Sequence, residues 1–293
     1  NPRDNLTHTQ NDVLNEFILQ LSKENLTPQQ KAFCDEACLL RYLRARDWEL
    51  KKSFKMLQAT LKWREEYKPE LIFAEDLAHT AETGKLFRRG FDKQGRPIVY
   101  VTPARENSKD YDKNMQLLVY CFERAIEACP DGVEQMTWIL DFNDYSTKNA
   151  PPFAICKETL NILSNHYPER LGLALIVDAP WIFNMFYKAI TPFINPATKA
   201  KVAFVKGGDE KKKVLSKHVD LTEMESRFGG SSDFNFDASF WKSEIEADTE
   251  RRKRLGLTAS VVRKPAFTNV GSEEEQGSSF VDNSSEPVEI AAL

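Results

Sequence analysis

Along the first third of the chain, apolar residues recur at helical spacing. Thr27-Pro28 offers a cap followed by proline at a first helical position, and the segment it opens runs through Leu39, Leu40 and Leu43. A second helix repeats apolar groups at Leu50, Phe54, Leu57 and Leu61 and ends near Trp63 and Tyr67, before Pro69. From residue 96 the period changes. The run Arg96-Pro97-Ile98-Val99-Tyr100-Val101 reads as a strand after the turn Asp92-Lys93-Gln94-Gly95. Helical spacing returns at Leu118, Phe122 and Ile126, and a strand follows at Trp138-Ile139-Leu140-Asp141-Phe142. Another helix spans about Pro152 to Asn165, then come the strand Leu173 to Val177, a further helix and the run Lys201 to Val205.

Strands alternating with helices imply right-handed crossovers and a largely parallel sheet. The expected fold is α/β, with an all-helical lobe at residues 1–70 and a mostly parallel sheet with helices at 71–240. Residues 241–264 form a charged helical extension, and 265–293 an acidic tail whose composition cannot offset the entropy of ordering. The basic run Arg251-Arg252-Lys253-Arg254 reads as a solvated helix face.

Charge narrows the function classes. The formal net charge is −4, but the tail carries Glu273, Glu274, Glu275, Asp282, Glu286 and Glu289 with no Lys or Arg after Lys264. The body is thus nearly neutral, which argues against a nucleic-acid binder. Five cysteines (Cys34, Cys38, Cys121, Cys129, Cys156), an odd count without CxxC spacing or a secretory leader, read as reduced thiols of a cytoplasmic protein. Cys34 and Cys38, four apart, are expected on one helix face as packing residues rather than metal ligands. No apolar run is long enough to span a bilayer, so membrane contact is expected to be peripheral.

Catalytic signatures are missing: there is no GxSxG, Walker loop, GxGxxG after a strand, or HExxH, and His8, His79, His166 and His218 lack metal-ligand spacing. No catalytic residue, metal or cofactor is expected. The informative segment is Trp181 to Ile194, apolar almost all round and too short to cross a bilayer. Two readings compete, a buried core helix and a movable lid over an apolar cavity. After it, Asn195-Pro196-Ala197-Thr198-Lys199-Ala200-Lys201 gives a cap, a first-turn proline, and Thr198 and Lys201 on one face. That is either an anion site or a plain capped helix with exposed lysines.

In order and spacing, the segment Leu39 to Gly230 resembles the CRAL-TRIO lipid-binding family, in particular its Sec-fourteen-like phosphatidylinositol transfer branch. The matching words are Leu39-Leu40-Arg41-Tyr42-Leu43-Arg44-Ala45-Arg46, Gly95-Arg96-Pro97, His166-Tyr167-Pro168-Glu169-Arg170-Leu171-Gly172, Pro196 to Lys201, and Phe228-Gly229-Gly230. The resemblance implies helices enclosing an apolar lipid cavity and a bound phosphatidylinositol. Arg46 would meet its phosphodiester, Lys201 would add charge, Thr198 a hydroxyl, and Glu169 would accept from inositol hydroxyls. The alternative makes Glu169 and Arg46 or Arg170 a structural ion pair. Two departures stand out. Asp47 replaces a basic residue of many relatives, and Met136, Trp138 and Leu163 replace small hydroxyl residues of relatives that also carry phosphatidylcholine. A choline lipid would lose polar partners here; the substitutions look more like the fungal azole-tolerance subfamily, which makes a sterol-type second cargo the alternative.

The cavity residues expected from this reading are Tyr100, Ile139 and Leu175 with Ile98 and Ile176 on the sheet, and Trp181, Phe183, Met185, Phe186, Tyr187, Ile190 and Phe193 in the lid. The protein is expected to be a monomer that transfers or presents phospholipid between membranes, with a transient membrane surface as partner. A non-transferring sensor presenting lipid to a lipid kinase is the rival reading. An enzyme built on Cys121 with Arg124, or Asp141 with Asp144, lacks a partnered base.

Overall fold

The computed structural model describes residues 2–194, 196–257 and 263–267, without the side chains of Asn149, Phe186, Ala189 and Phe193. Helices α1 (His8–Leu21), α2 (Pro28–Phe33), α3 (Glu36–Arg44) and α4 (Leu50–Tyr67) form the helical lobe. Thr7 with Gln10 and Thr27 with Gln30 build capping boxes at α1 and α2. The single helix expected from Thr27 to Leu43 is two. Cys34 leaves helical geometry, and the Asp35 carboxylate caps α3 by accepting the Cys38 amide at 2.6 Å. Cys34 and Cys38 therefore do not share a helix. Cys38 is buried in the lobe core with Phe17, Leu40 and Leu57, while Cys34 packs at its edge. Both work as packing groups, since burial pushes their thiols up to about 12 and about 11.

Helix α5 (Ala78–Ala81) leads to β1 (Leu86–Phe91) and β2 (Pro97–Val101), then α6 (Tyr111–Glu127), β3 (Met136–Asp141), α7 (Phe153–His166) and β4 (Leu171–Val177). Helices α8 (Trp181–Ile190) and α9 (Pro196–Lys199) precede β5 (Val202–Val205), α10 (Asp209–His218) and α11 (Ala238–Leu255). The five strands lie in sequence order; β1 runs antiparallel to β2 and every other pair is parallel.

Alternation gives the sheet two apolar faces. One carries Val99, Met136, Leu171 and Ala174 and packs against α6 and α7. The other carries Phe87, Ile98, Tyr100, Ile139, Leu175 and Val177, covered by Leu215 and Val219 and by Met224 and Phe228 of the following loop. Gly230 is obligatory in that loop, because a Cβ there would lie 2.0 Å from the Met224 carbonyl oxygen. The lobe is tied to the sheet domain through α4. Trp63 stacks on His166 with ring centroids 4.4 Å apart, the Thr60 hydroxyl donates to the Asn165 carbonyl at 3.0 Å, and Arg64 pairs with Glu123 at 2.8 Å.

The basic run on α11 is only half solvated, a correction to the sequence expectation. Arg251 is buried and pairs with buried Asp248 at 3.1 Å, and the Arg252 guanidinium lies 4.3 Å from the Phe73 ring centre. Asp248 also accepts the Ala74 amide at 3.0 Å, and the Trp241 indole donates to the Ala74 carbonyl at 3.0 Å. These contacts turn α11 back onto the domain. The acidic tail, from 268 onward, lies outside the described residues.

Candidate lipid site

The two sheet faces are filled unequally. On the face under α10, Ile98, Tyr100, Ile139, Leu175 and Val177 are no more than 3% exposed. On the opposite face Val99, Met136, Ala174 and Ile176 are at most 5% exposed, but Val101, Trp138, Leu140 and Val202 are half-buried and Phe204 is 42% exposed. Val202 and Phe204 lie on the edge strand β5 and Val101 at the end of β2, so these side chains form a half-covered apolar trough along that side of the sheet. Tyr100, Ile139 and Leu175 are thus on the sealed face, not the cavity floor expected from sequence. Their neighbours are Leu215, Met224 and Phe228, which arrive from far down the chain. Ile176 alternates to the trough side.

At the C-terminal edge of the parallel strands the trough side opens into a cavity of 520 Å³, lined by Leu86, Val101, Met115, Leu118, Ile155 and Phe267. Lys85 at its rim is self-satisfied. Its ammonium donates to Glu106 at 2.6 Å, Asn107 at 2.9 Å and Asn114 at 2.6 Å, using all three hydrogens. Burial lowers its pKa, opposed by Glu106. Met136 and Leu163 fill the deep part of this side at 1% and 2% exposure, and Trp138 packs on Phe122 at 4.9 Å. The Trp138 indole N–H is buried without a hydrogen-bond partner among the described residues.

Helix α8 crosses the same face. Phe183 meets Phe142 at 4.3 Å and Tyr187 meets Phe204 at 5.1 Å, while Ile190 and Ile194 are each 8% exposed. Phe183, Tyr187 and Ile190 recur at four- and three-residue intervals along α8, which puts them on one inward stripe, and Ile194 follows in extended backbone after the helix. Trp181 (70% exposed), Ile182 (36%) and Met185 (56%) point outward. A helix buried all round is therefore not what forms; α8 lies against Phe142 and Phe204 and leaves a second apolar stripe bare. The Phe186 and Phe193 side chains lie outside the described residues.

The polar cradle lies at the other, N-terminal edge of the strands. Lys201 Nζ stands 3.2 Å from Glu169 Oε2, and the Lys201 amide donates to the Thr198 carbonyl at 3.0 Å. Thr198 is buried. Helix α9 is a single turn, so the dipole expected to favour anions there is small; its cap Asn195 lies outside the described residues. Arg46 donates to the Asn165 side chain at 3.3 Å, and Asn165 is held by Asn161 at 2.6 Å. The structural ion pair at Glu169 is made with Lys201, whereas Arg170 donates to the Glu134 carbonyl at 2.8 Å. Asp47 is exposed in a left-handed turn with φ of 50°, a geometry Asp tolerates better than most side chains.

Three arginines given no role from sequence converge on Glu169. Arg41, Arg44, Arg96 and Glu169 surround a polar hollow of 270 Å³. Arg41 pairs with Glu134 at 2.7 Å, and Arg96 with buried Asp92 at 2.6 Å. Gly172 makes room for Arg96, since a Cβ there would lie 2.7 Å from its Cδ and Nη1. Three of the sequence words quoted above thus meet at one spot. Their order along the chain was the available signal, and their convergence was not readable from it.

Two of the side chains weighed as enzyme candidates are engaged or buried. Asp141 pairs with Arg227 at 3.0 Å, and burial raises the Cys121 thiol well above its usual range. No cluster of three or more His, Cys, Asp or Glu suited to a metal occurs among the described residues.

The sequence matches the family model described as CRAL/TRIO domain over residues 81–230, and that of the CRAL/TRIO N-terminal domain over residues 10–59. A CRAL-TRIO domain-containing protein of Schizosaccharomyces pombe is 35% identical over 236 residues, 80% of this chain and 22% of that protein. The phosphatidylinositol transfer protein PDR17 of Saccharomyces cerevisiae is 34% identical over 244 residues, 78% of this chain and 68% of that one. For the phosphatidylinositol transfer protein CSR1 of Eremothecium gossypii the identity is 30% over 250 residues, 80% of this chain and 56% of that one. The chain therefore spans between 22% and 68% of the lengths of these relatives. Among solved structures, the crystal structure of Sfh5 superposes with a TM-score of 0.60 at 17% identity, covering 86% of this chain and 98% of that one. The unequally filled sheet, its helical lobe and these matches have one conclusion in common: the chain belongs to the CRAL/TRIO domain family.

Proposed function

We propose that the protein binds a phospholipid, phosphatidylinositol, with its tails in the trough beneath α8 and its headgroup at the polar cradle, and moves it between membranes without covalent chemistry. The observation that carries this reading is the contrast between one sealed sheet face and one half-covered face that carries a helix with bare Trp181 and Met185. Two relatives named as phosphatidylinositol transfer proteins support the choice of cargo.

Each methylene moved into water costs about 0.8 kcal/mol, so a two-chain lipid must travel under cover. Helix α8 supplies that cover, and its outer stripe gives it somewhere to go. On reaching a bilayer, Trp181, Ile182 and Met185 enter the interface, the inward stripe lifts from Phe142 and Phe204, and the trough exchanges its contents. At the cradle, Lys201 and Glu169 offer a donor for phosphate and an acceptor for ring hydroxyls side by side, with Thr198 and Arg46 completing the set. Met136, Trp138 and Leu163 give a choline lipid no hydroxyl partners, which favours a sterol-type second cargo over phosphatidylcholine. The protein acts as a cytoplasmic monomer, peripheral on membranes.

Transfer of labelled phosphatidylinositol between vesicles tests the reading. Arg46→Ala and Thr198→Asp are expected to abolish uptake with the fold intact; unchanged transfer in both removes the headgroup assignment. Binding without net delivery would favour a sensor that presents lipid to a lipid kinase.

A further inference from the structure

The segment from 263 to 267 returns across the domain after α11 and is pinned at two points. Lys264 donates its amide to the Glu66 carbonyl at 3.3 Å and its ammonium to the Glu66 carboxylate at 2.9 Å. Asp112, in the first turn of α6, accepts the amides of Ala266 and Phe267 at 2.8 and 3.2 Å through one oxygen. The strap so held packs Ala266 and Phe267 against the core side chains of the α6 face. Phe267 forms part of the wall of the 520 Å³ cavity, facing Leu86, Val101, Met115, Leu118 and Ile155.

The position of that cavity gives Phe267 a meaning. Val101 ends β2 at the C-terminal edge of the parallel strands, whereas Glu169 and Lys201 precede β4 and β5 at the N-terminal edge. A six-residue strand such as β3 separates these edges by roughly 20 Å. A chain anchored by its head at the cradle and laid along the trough would run toward the cavity that has Phe267 in its wall.

We propose that the strap is an end stop: the Phe267 ring limits the length of apolar chain the cavity takes, and the Asp112 carboxylate holds it in place. This inference rests on the lipid reading above and adds a chain-length filter that neither the headgroup cradle nor α8 supplies. Leu118 and Ile155 face the same space from α6 and α7, so removing the ring enlarges the cavity beside apolar side chains.

The test uses the full chain incubated with vesicles containing equimolar dipalmitoyl and diarachidoyl phosphatidylinositol, with bound lipid quantified by mass spectrometry. Phe267→Ala is expected to raise the bound ratio of the longer to the shorter lipid at least ~4-fold, the factor that about 0.8 kcal/mol per methylene represents for one added methylene. Asp112→Ala, which frees the strap but leaves the ring, should move the ratio in the same direction, and Phe267→Trp should lower it. Phe267→Leu keeps an apolar group on the core and serves as the milder arm should the alanine variant fold poorly. Phosphatidylinositol taken up normally by all proteins with one unchanged ratio overturns the stop alone. No uptake by any of them overturns the lipid reading, and the stop falls with it.

Discussion

Lys201 and Glu169, separated by 32 residues in sequence, meet Nζ to Oε2 at 3.2 Å where the chain enters β5 and β4. Glu169 holds that position at a cost, with φ of 60° in the left-handed region, unfavourable for a side chain with a Cβ. Retaining Glu where glycine would be relaxed points to a use for its carboxylate. Glu169→Gly relieves that backbone but removes the carboxylate beside Lys201, so the unfolding free energy is expected to stay within about 1 kcal/mol of the parent in denaturant melts, while phosphatidylinositol uptake falls at least tenfold. A variant that binds as the parent does contradicts this.

The outward stripe of α8 predicts a separation of stability from membrane engagement. Trp181 is 70% and Met185 56% exposed, so Trp181→Ala with Met185→Ser should leave the unfolding free energy within about 0.5 kcal/mol. Co-sedimentation with vesicles and transfer rate should both fall several-fold. Equal sedimentation of parent and double variant would show that α8 does not dock through this stripe.

His166 makes folding pH-dependent. Burial, helped by Arg64, depresses its pKa from 6.5 to about 3, so the native imidazole is neutral beneath Trp63. The unfolded chain takes up a proton below about pH 6.5 that the native state refuses until about 3. Stability is therefore full above the unfolded value and is lost as pH falls through that window, by up to about 1.4 kcal/mol per unit. Replacing His166 with Gln should flatten that part of the pH profile relative to the parent, as read from urea melts at a series of pH values. Parallel profiles would mean that the ring is charged in the native state.

Gly172 predicts a packing defect with a polar consequence. Its alanine variant drives a methyl into Arg96, whose guanidinium cannot simply swing away because Asp92, fully buried, depends on it and accepts the Thr137 hydroxyl at 2.6 Å. A loss of about 2–4 kcal/mol is expected in equilibrium unfolding, combining overpacking with a weakened buried ion pair. A variant within about 0.5 kcal/mol of the parent would show that Arg96 has room to move.

What could be read from the sequence follows from how local each signal is. Helices α4 and α7 and strands β2 to β4 carry their own periodicity, and each lies within a few residues of its expected bounds, while α6 contains the expected Leu118, Phe122 and Ile126 but starts earlier, at Tyr111. Strand β1 was not anticipated because Arg88 and Arg89 interrupt its apolar run, as suits an edge strand paired only with β2. Helix α1 escaped as well, and the break between α2 and α3 carries no Gly or Pro. It rests on the Asp35 side chain competing for the Cys38 amide. For the site, the residues of the cradle are legible as words of the sequence. The face that Tyr100, Ile139 and Leu175 occupy is not, because β4, Leu171-Gly172-Leu173-Ala174-Leu175-Ile176-Val177, is apolar on both sides. Which side is sealed depends on Met224 and Phe228, more than 40 residues further on, and on no feature of the strand itself.

The sequential order of the strands also bears on how the polypeptide matures on the ribosome. Each parallel strand can add to its predecessor as it emerges, so the sheet can assemble progressively from Leu86 to Val205. The side later closed by Leu215, Met224 and Phe228 has no partner until those residues leave the exit tunnel, and the opposite side is shaped to remain receptive. A nascent chain that has emerged from the tunnel as far as about residue 206 would therefore present a twisted sheet with one greasy surface uncovered, a natural client for a hydrophobic-binding chaperone.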